Sequence, residues 1–131
     1  MSRKRAEKVW TGEPPNFEVI MFALGCAARK TGCDWPRDCF LSIQQLKIGP
    51  NSKRAFAISR TRIYAALALR ALYEDTSPSQ ISLACGSRNA DFFCVIDAKI
   101  RKKQLFWFKN AIFMEVLEST EKFMNELLVA A

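Results

Sequence analysis

The sequence predicts an all-α fold: a compact helical domain with a central helix-turn-helix and a long amphipathic C-terminal helix. Half of the 131 residues are apolar, which is enough to bury the core of one domain. Glycine and proline are sparse, with five of each, and the alternation of apolar and polar residues that is typical of strands is scarce. Apolar residues instead recur every three or four positions, as they do along one face of a helix.

The N-terminal residues 1–16 are predicted to form a flexible basic arm. Asn16 is placed to cap a first helix over residues 17–30, because its short side chain can accept a hydrogen bond from the first turn. Gly32 follows the last apolar residues of this segment, at the position where helices commonly end in a left-handed conformation. The pattern therefore predicts a helix with a defined residue at each end.

Two further helices are predicted before the middle of the chain, with a loop between them. Residues 34–46 are typical of a short helix that has a proline in its first turn. Residues 49–54, with the sequence GPNSKR, are predicted to form a basic loop. A long helix is then expected over residues 59–73, where many alanines would let neighbouring helices approach closely.

The most informative pattern lies in residues 77–103. Ser77 is placed to cap a short helix that begins with a proline and turns three apolar side chains inward: Ile81, Ala84 and Cys85. Gly86 suits the tight turn that follows, and Asn89 is placed to cap a second helix. A short helix, a glycine-containing turn and a second helix are the plan of a helix-turn-helix. Residues 17–103 are therefore predicted to form one helical DNA-binding domain.

The C-terminal segment, residues 104–131, is predicted to form a single amphipathic helix. Its apolar stripe includes nine side chains: Leu105, Phe106, Phe108, Ile112, Phe113, Val116, Leu117, Phe123 and Met124. The stripe is too rich in aromatic residues to face water. It is expected either to pack onto the helical domain or to form the interface of a homodimer.

Charge is distributed unevenly along the chain, whose formal net charge is +7. Residues 1–60 carry eleven Lys and Arg against five Asp and Glu, residues 61–103 carry seven against four, and residues 104–131 carry two against four. A positive surplus of this size indicates a polyanionic partner. Double-stranded DNA is the partner we expect, and its contact surface should lie in the first three quarters of the chain.

Other classes of function are not expected from this sequence. The chain has no histidine, no visible pair of nucleophile and base, and no paired carboxylates, so we expect no enzymatic activity. The five cysteines include no C-x-x-C pair, so no metal site and no cofactor are predicted, and the thiols are expected to be buried and reduced. No stretch is apolar enough to span a bilayer, and no signal peptide is visible. A cytoplasmic, nucleoid-associated protein without membrane contact is therefore expected.

Residues 60–100 also resemble a known family. The residues that carry the resemblance are Pro78, Ile81, Ala84, Gly86 and Arg88. They match the helix-turn-helix in the C-terminal DNA-binding domain of DnaA-type replication initiators, without the ATPase domain of that family. Arg62 corresponds to the arginine that opens the family's long helix, and residues 53–54 occupy the region of its basic loop, which reaches the minor groove. Residues 89–91 depart from the Asp-His-Thr with which the family reads bases.

Combining these patterns, we expect a small regulator of transcription or replication that binds duplex DNA. Its predicted DNA contacts are Lys53, Arg54, Arg60, Arg62, Ser79, Gln80, Ser87, Arg88, Asn89, Ala90, Asp91, Lys99 and Lys103. Arg62 and Arg88 are expected to be exposed. The alternative is a protein-interaction module that uses the aromatic C-terminal helix and has lost the ability to read DNA.

Overall fold

The computed structural model describes residues 11–34, 53–86 and 111–130. These residues form four helices and contain no strand, which confirms the all-α class for this part of the chain. The helices are α1 (Phe17–Thr31), α2 (Lys53–Leu72), α3 (Pro78–Ala84) and α4 (Ala111–Ala130). The helix predicted at 34–46 lies outside the described residues, apart from Asp34. The second helix of the predicted helix-turn-helix, from residue 89 to residue 103, also lies outside them.

Helix α1 is capped as its sequence predicts. The side-chain oxygen of Asn16 accepts a hydrogen bond from the amide of Glu18 at 2.8 Å. Gly32 adopts the left-handed conformation with φ +78°, and its amide donates to the carbonyl of Ala28 at 2.9 Å. Both predicted ends of the helix are therefore confirmed, because each depends on local chemistry.

Helix α2 begins at Lys53, six residues before the predicted start. The prediction that Lys53 and Arg54 belong to a basic loop is therefore wrong. The turn-forming residues just before them suggested a loop, but residues 53–58 have good helix formers among them and bury two apolar side chains, Ala55 and Ile58. That burial stabilises the additional turn and a half of helix.

Helix α3 and the turn after it follow the predicted pattern. The hydroxyl of Ser77 accepts a hydrogen bond from the amide of Gln80 at 3.3 Å, and Pro78 opens the helix. Ile81 and Cys85 are fully buried, whereas Ala84 is only partly buried. Gly86 has φ +86°, in the left-handed region that favours glycine. The predicted short helix and the glycine turn after it are thus confirmed as local structures.

The core lies where α1, α2 and α4 pack against one another. Asn16 donates its amide to the Tyr73 hydroxyl at one end of α1, and Thr31 is hydrogen-bonded to Thr61 at the other, so α1 and α2 are antiparallel. Small side chains line the contact and allow close approach of the helices: Ala23, Ala27, Ala65 and Ala68. The largest fully buried side chains are Leu24, Ile58, Tyr64, Leu69 and Ile81.

Helix α4 places its apolar stripe on α1 and α2. Phe113 and Val116 are buried, and four other stripe residues are partly buried against the core: Ile112, Leu117, Phe123 and Met124. The ring of Phe123 stacks on that of Phe22, with centroids 4.3 Å apart and planes within 7°. The described part of the stripe therefore packs within the chain. Leu105, Phe106 and Phe108 lie outside the described residues.

Residues 11–16 are held against the loop between α2 and α3, in contrast to the flexible arm predicted for 1–16. The amide of Gly12 donates to the carbonyl of Asp75 at 2.9 Å, and the Thr76 hydroxyl donates to the carbonyl of Glu13 at 2.6 Å. Pro15 is buried beside them. These bonds join residues more than sixty positions apart, which a local pattern does not reveal.

Candidate nucleic-acid interface

Helix α2 carries only positive charge. Its five charged side chains are all basic, with no Asp or Glu between them: Lys53, Arg54, Arg60, Arg62 and Arg70. Basic residues in the first turn face the positive end of the helix dipole, which is slightly unfavourable for helix stability. The charges at positions 53 and 54 are therefore not explained by the stability of α2, and they raise the positive potential at this end of the helix.

One exposed face of α2 combines cations with an aromatic ring. Lys53, Phe56 and Arg60 recur at intervals of three and four residues, so they share one side of the helix, and all three are exposed. The guanidinium carbon of Arg60 lies 5.9 Å from the ring centroid of Tyr64, one turn further along. Phe56 was not predicted as a site residue, because it precedes residue 59, where the helix was predicted to begin.

Arg62 lies on nearly the opposite side of α2, towards the end of α3. It is half-buried, which corrects the expectation that it is exposed. Its positive charge acts to lower the pKa of the Cys85 thiol, although burial raises this pKa by a larger amount. Helix α3 packs against α2 and its end lies within the electrostatic reach of Arg62, which the spacing along the chain alone does not show.

Burial raises the pKa of the Cys85 thiol to about 12, from an ordinary value of 9.0. Because the folded pKa is the higher one, the neutral thiol stabilises the fold below pH 9, and this contribution is lost as the pH rises from 9 towards 12.

We expect the free energy of unfolding of the wild type to fall more steeply between pH 9 and pH 12 than that of Cys85→Ala. Urea unfolding at several pH values measures both slopes, and parallel slopes would contradict the expectation.

Helix α3 offers a short polar surface at its N-terminal end. Ser79 and Gln80 are exposed there, as expected for side chains that contact phosphate. The Ser77 hydroxyl lies 3.4 Å from the side-chain oxygen of Gln80, which ties this amide to the helix cap. Leu83, which is 56% exposed, lies one turn further along the helix.

The predicted contact residues fall into two groups in the described part of the chain. The first group lies at α3 and the adjoining side of α2: Arg62, Ser79 and Gln80. The second lies towards the N-terminal end of α2: Lys53, Arg54 and Arg60. The remaining predicted contacts, Ser87, Arg88, Asn89, Ala90, Asp91, Lys99 and Lys103, are outside the described residues.

Helix α4 has the opposite charge. It carries four glutamates and one lysine, and all five side chains are exposed: Glu115, Glu118, Glu121, Lys122 and Glu126. Glu115 forms an ion pair with Lys30 of α1 at 2.5 Å. Since α4 would repel a polyanion, it is not part of the candidate interface.

Comparison with known proteins adds no further assignment: no family model, no curated protein and no solved structure matches this chain. In residues 11–34, 53–86 and 111–130, no cluster of His, Cys, Asp or Glu has an arrangement that would hold a metal ion. The helices of the same ranges are too short or too polar to cross a lipid bilayer.

Proposed function

We propose that this chain is a double-stranded DNA-binding protein, a regulator of transcription or replication that uses a DnaA-like helix-turn-helix. Its contact surface would consist of α3, the turn at Gly86 and the side of α2 that bears Arg62. The proposal places the protein at the nucleoid and requires no catalysis by the chain itself.

The proposal depends on one observation. Helix α2, whose charged side chains are all basic, packs beside α3, which is capped at its start and followed by a left-handed glycine turn. The positive charge of Arg62 acts on Cys85 at the end of α3. In a helix-turn-helix the first helix crosses the DNA backbone and the second enters the major groove. The proposal therefore assigns phosphate contacts to α3 and base contacts to residues 88–91.

Duplex binding is tested first through its dependence on salt. We expect a labelled 20-base-pair duplex to bind at about 50 mM salt and to lose affinity steeply by about 200 mM, because each neutralised phosphate releases counterions. Fluorescence anisotropy measures this directly. If the wild type binds no duplex at the lower salt concentration, the protein-interaction module becomes the better explanation.

A charge placed on α3 tests the proposed surface. Ser79→Glu adds a carboxylate in the first turn of a helix, where negative charge is favourable, so the fold should be retained. Facing phosphates, the same carboxylate should weaken duplex binding by about tenfold or more.

Ser119→Glu is the matched control, because it makes the same change of charge at an exposed position of α4. It should alter duplex affinity by less than about twofold, since the proposed surface does not include α4. Equal losses in the two variants would indicate a general effect of net charge and would contradict the assignment of α3. Melting curves from circular dichroism check that both variants are folded.

Homodimerisation is not part of the proposal. The described part of the apolar stripe is engaged within the chain, where Phe113 and Val116 are buried against α1 and α2. A dimer through this stripe would therefore have to displace contacts that the monomer already makes.

A further inference from the structure

Two phenylalanines in the described residues are strongly exposed, and their surroundings differ. Phe17 is 67% exposed at the start of α1, next to Glu18. Phe56 is 56% exposed on α2, with Lys53 one turn before it and Arg60 one turn after it. Exposure of a large aromatic side chain costs free energy that burial would recover. Phe56 thus combines an unburied ring with cations on both sides.

The spacing of these cations suits a chain of phosphates. At a rise of 1.5 Å per residue, Lys53 and Arg60 lie about 10 Å apart along the axis of α2, with Phe56 between them. Ser59, also exposed, adds a hydroxyl at the edge of this face, one turn after Phe56. An aromatic ring between two cations offers a stacking surface for a base and an ion pair for the phosphate on each side.

An unpaired strand fits this face better than a duplex does. In a duplex the faces of the bases are covered by their neighbours, so a phenyl ring could enter only by unstacking a base step, which costs free energy. In a single strand a base can present its face to an aromatic side chain without that cost. Its two cations, Lys53 and Arg60, also lie nearly opposite Arg62 around the axis of α2, away from the surface proposed for duplex DNA.

We propose that the α2 face formed by Lys53, Phe56, Ser59 and Arg60 binds single-stranded nucleic acid. One base stacks on the ring of Phe56, and the neighbouring phosphates pair with Lys53 and Arg60. This is a second binding activity, separate in position from duplex binding.

The test compares two alanine variants. Labelled 20-mers of dT and of rU are titrated with the wild-type protein, Phe56→Ala and Phe17→Ala, at about 50 mM salt, and anisotropy is recorded. We expect the wild type to bind at least one of the two strands and Phe56→Ala to bind it about 5- to 150-fold more weakly, the range for loss of one stacked base. Phe17→Ala should bind it as the wild type does.

A conservative variant and two charge variants sharpen the test. Phe56→Trp should restore binding, because an indole also stacks on a base. Lys53→Gln and Arg60→Gln should each reduce the slope of log affinity against log salt by about 0.7, the value for one phosphate contact on a single strand. Because Phe56 is exposed, its variants should melt at the temperature of the wild type. The ratio of dT to rU affinity identifies the preferred kind of strand.

Three outcomes would overturn the proposal: no binding of either strand by the wild type, wild-type affinity in Phe56→Ala, or an equal loss in Phe17→Ala. The duplex assays separate this result from the proposed function. If the single strands bind with the expected dependence on Phe56 but the duplex does not bind, the proposed function fails and this proposal stands. If only the duplex binds, the reverse holds.

Discussion

Truncation of Ile81 to alanine is expected to lower the free energy of unfolding by about 2–5 kcal/mol, the range for removing most of a fully buried aliphatic side chain. Ile81 has no exposed surface and is part of the core shared with α1 and α2. Helix α3 has only seven residues, too few to be stable alone, so its position depends on this anchor. Urea unfolding followed by circular dichroism measures the loss.

Leu83 provides the control for Ile81 within the same helix. It is 56% exposed, and Leu83→Ala should change stability by less than about 0.5 kcal/mol, as surface substitutions usually do. If Ile81→Ala and Leu83→Ala have equal effects, α3 is not anchored by its buried face. Where Ile81→Ala remains folded at low temperature, it should also bind duplex DNA more weakly, because the proposed contact surface includes α3.

Gly12→Ala is expected to cost about 3 kcal/mol, at the upper end of the usual range for overpacking. A Cβ atom at this position would lie 2.6 Å from the carbonyl carbon of Asp75 and 2.7 Å from the amide nitrogen of Thr76. These are backbone atoms, so no change of rotamer relieves the contact. The segment of residues 11–16 should then separate from the loop between α2 and α3.

Hydrogen exchange distinguishes this local release from a general loss of stability. The amide at position 12 donates to Asp75 in the wild type, and it should exchange faster in Gly12→Ala. The control is Gly32→Ala, which meets no atom within 4 Å and carries only the strain of φ +78°, about 1 kcal/mol. Gly32→Ala should leave the protection at position 12 unchanged. Wild-type stability in Gly12→Ala would contradict the close packing of this segment.

The ends of α1 and α3 could be predicted because the signals are local. Asn16 and Ser77 cap their helices through side-chain oxygens within three residues, and Gly32 and Gly86 adopt left-handed conformations that few other residues tolerate. The turn-forming residues before α2 are also a local signal, but here the local signal gave a wrong prediction for Lys53 and Arg54. They indicated a loop, and burial of Ile58 by tertiary contacts extended the helix to Lys53.

The candidate site was less predictable than the fold. The sequence indicates which residues of α2 are basic, and helical spacing could have grouped Phe56 with Lys53 and Arg60 once the helix was known to begin at Lys53. The half-burial of Arg62 could not be foreseen, because it depends on how α2 packs with the rest of the chain, and Cys85, on which its charge acts, follows more than twenty positions later. Contacts of this kind depend on how the helices pack, which periodicity alone does not determine.

The opposite charges of α2 and α4 make these two packed helices electrostatically unequal. A phosphate near them would be drawn towards α2 and pushed away from the glutamates of α4. Since both helices belong to one core, this part of the molecule offers a polyanion one side for approach, and encounters from the side of α4 would be disfavoured before any specific contact forms.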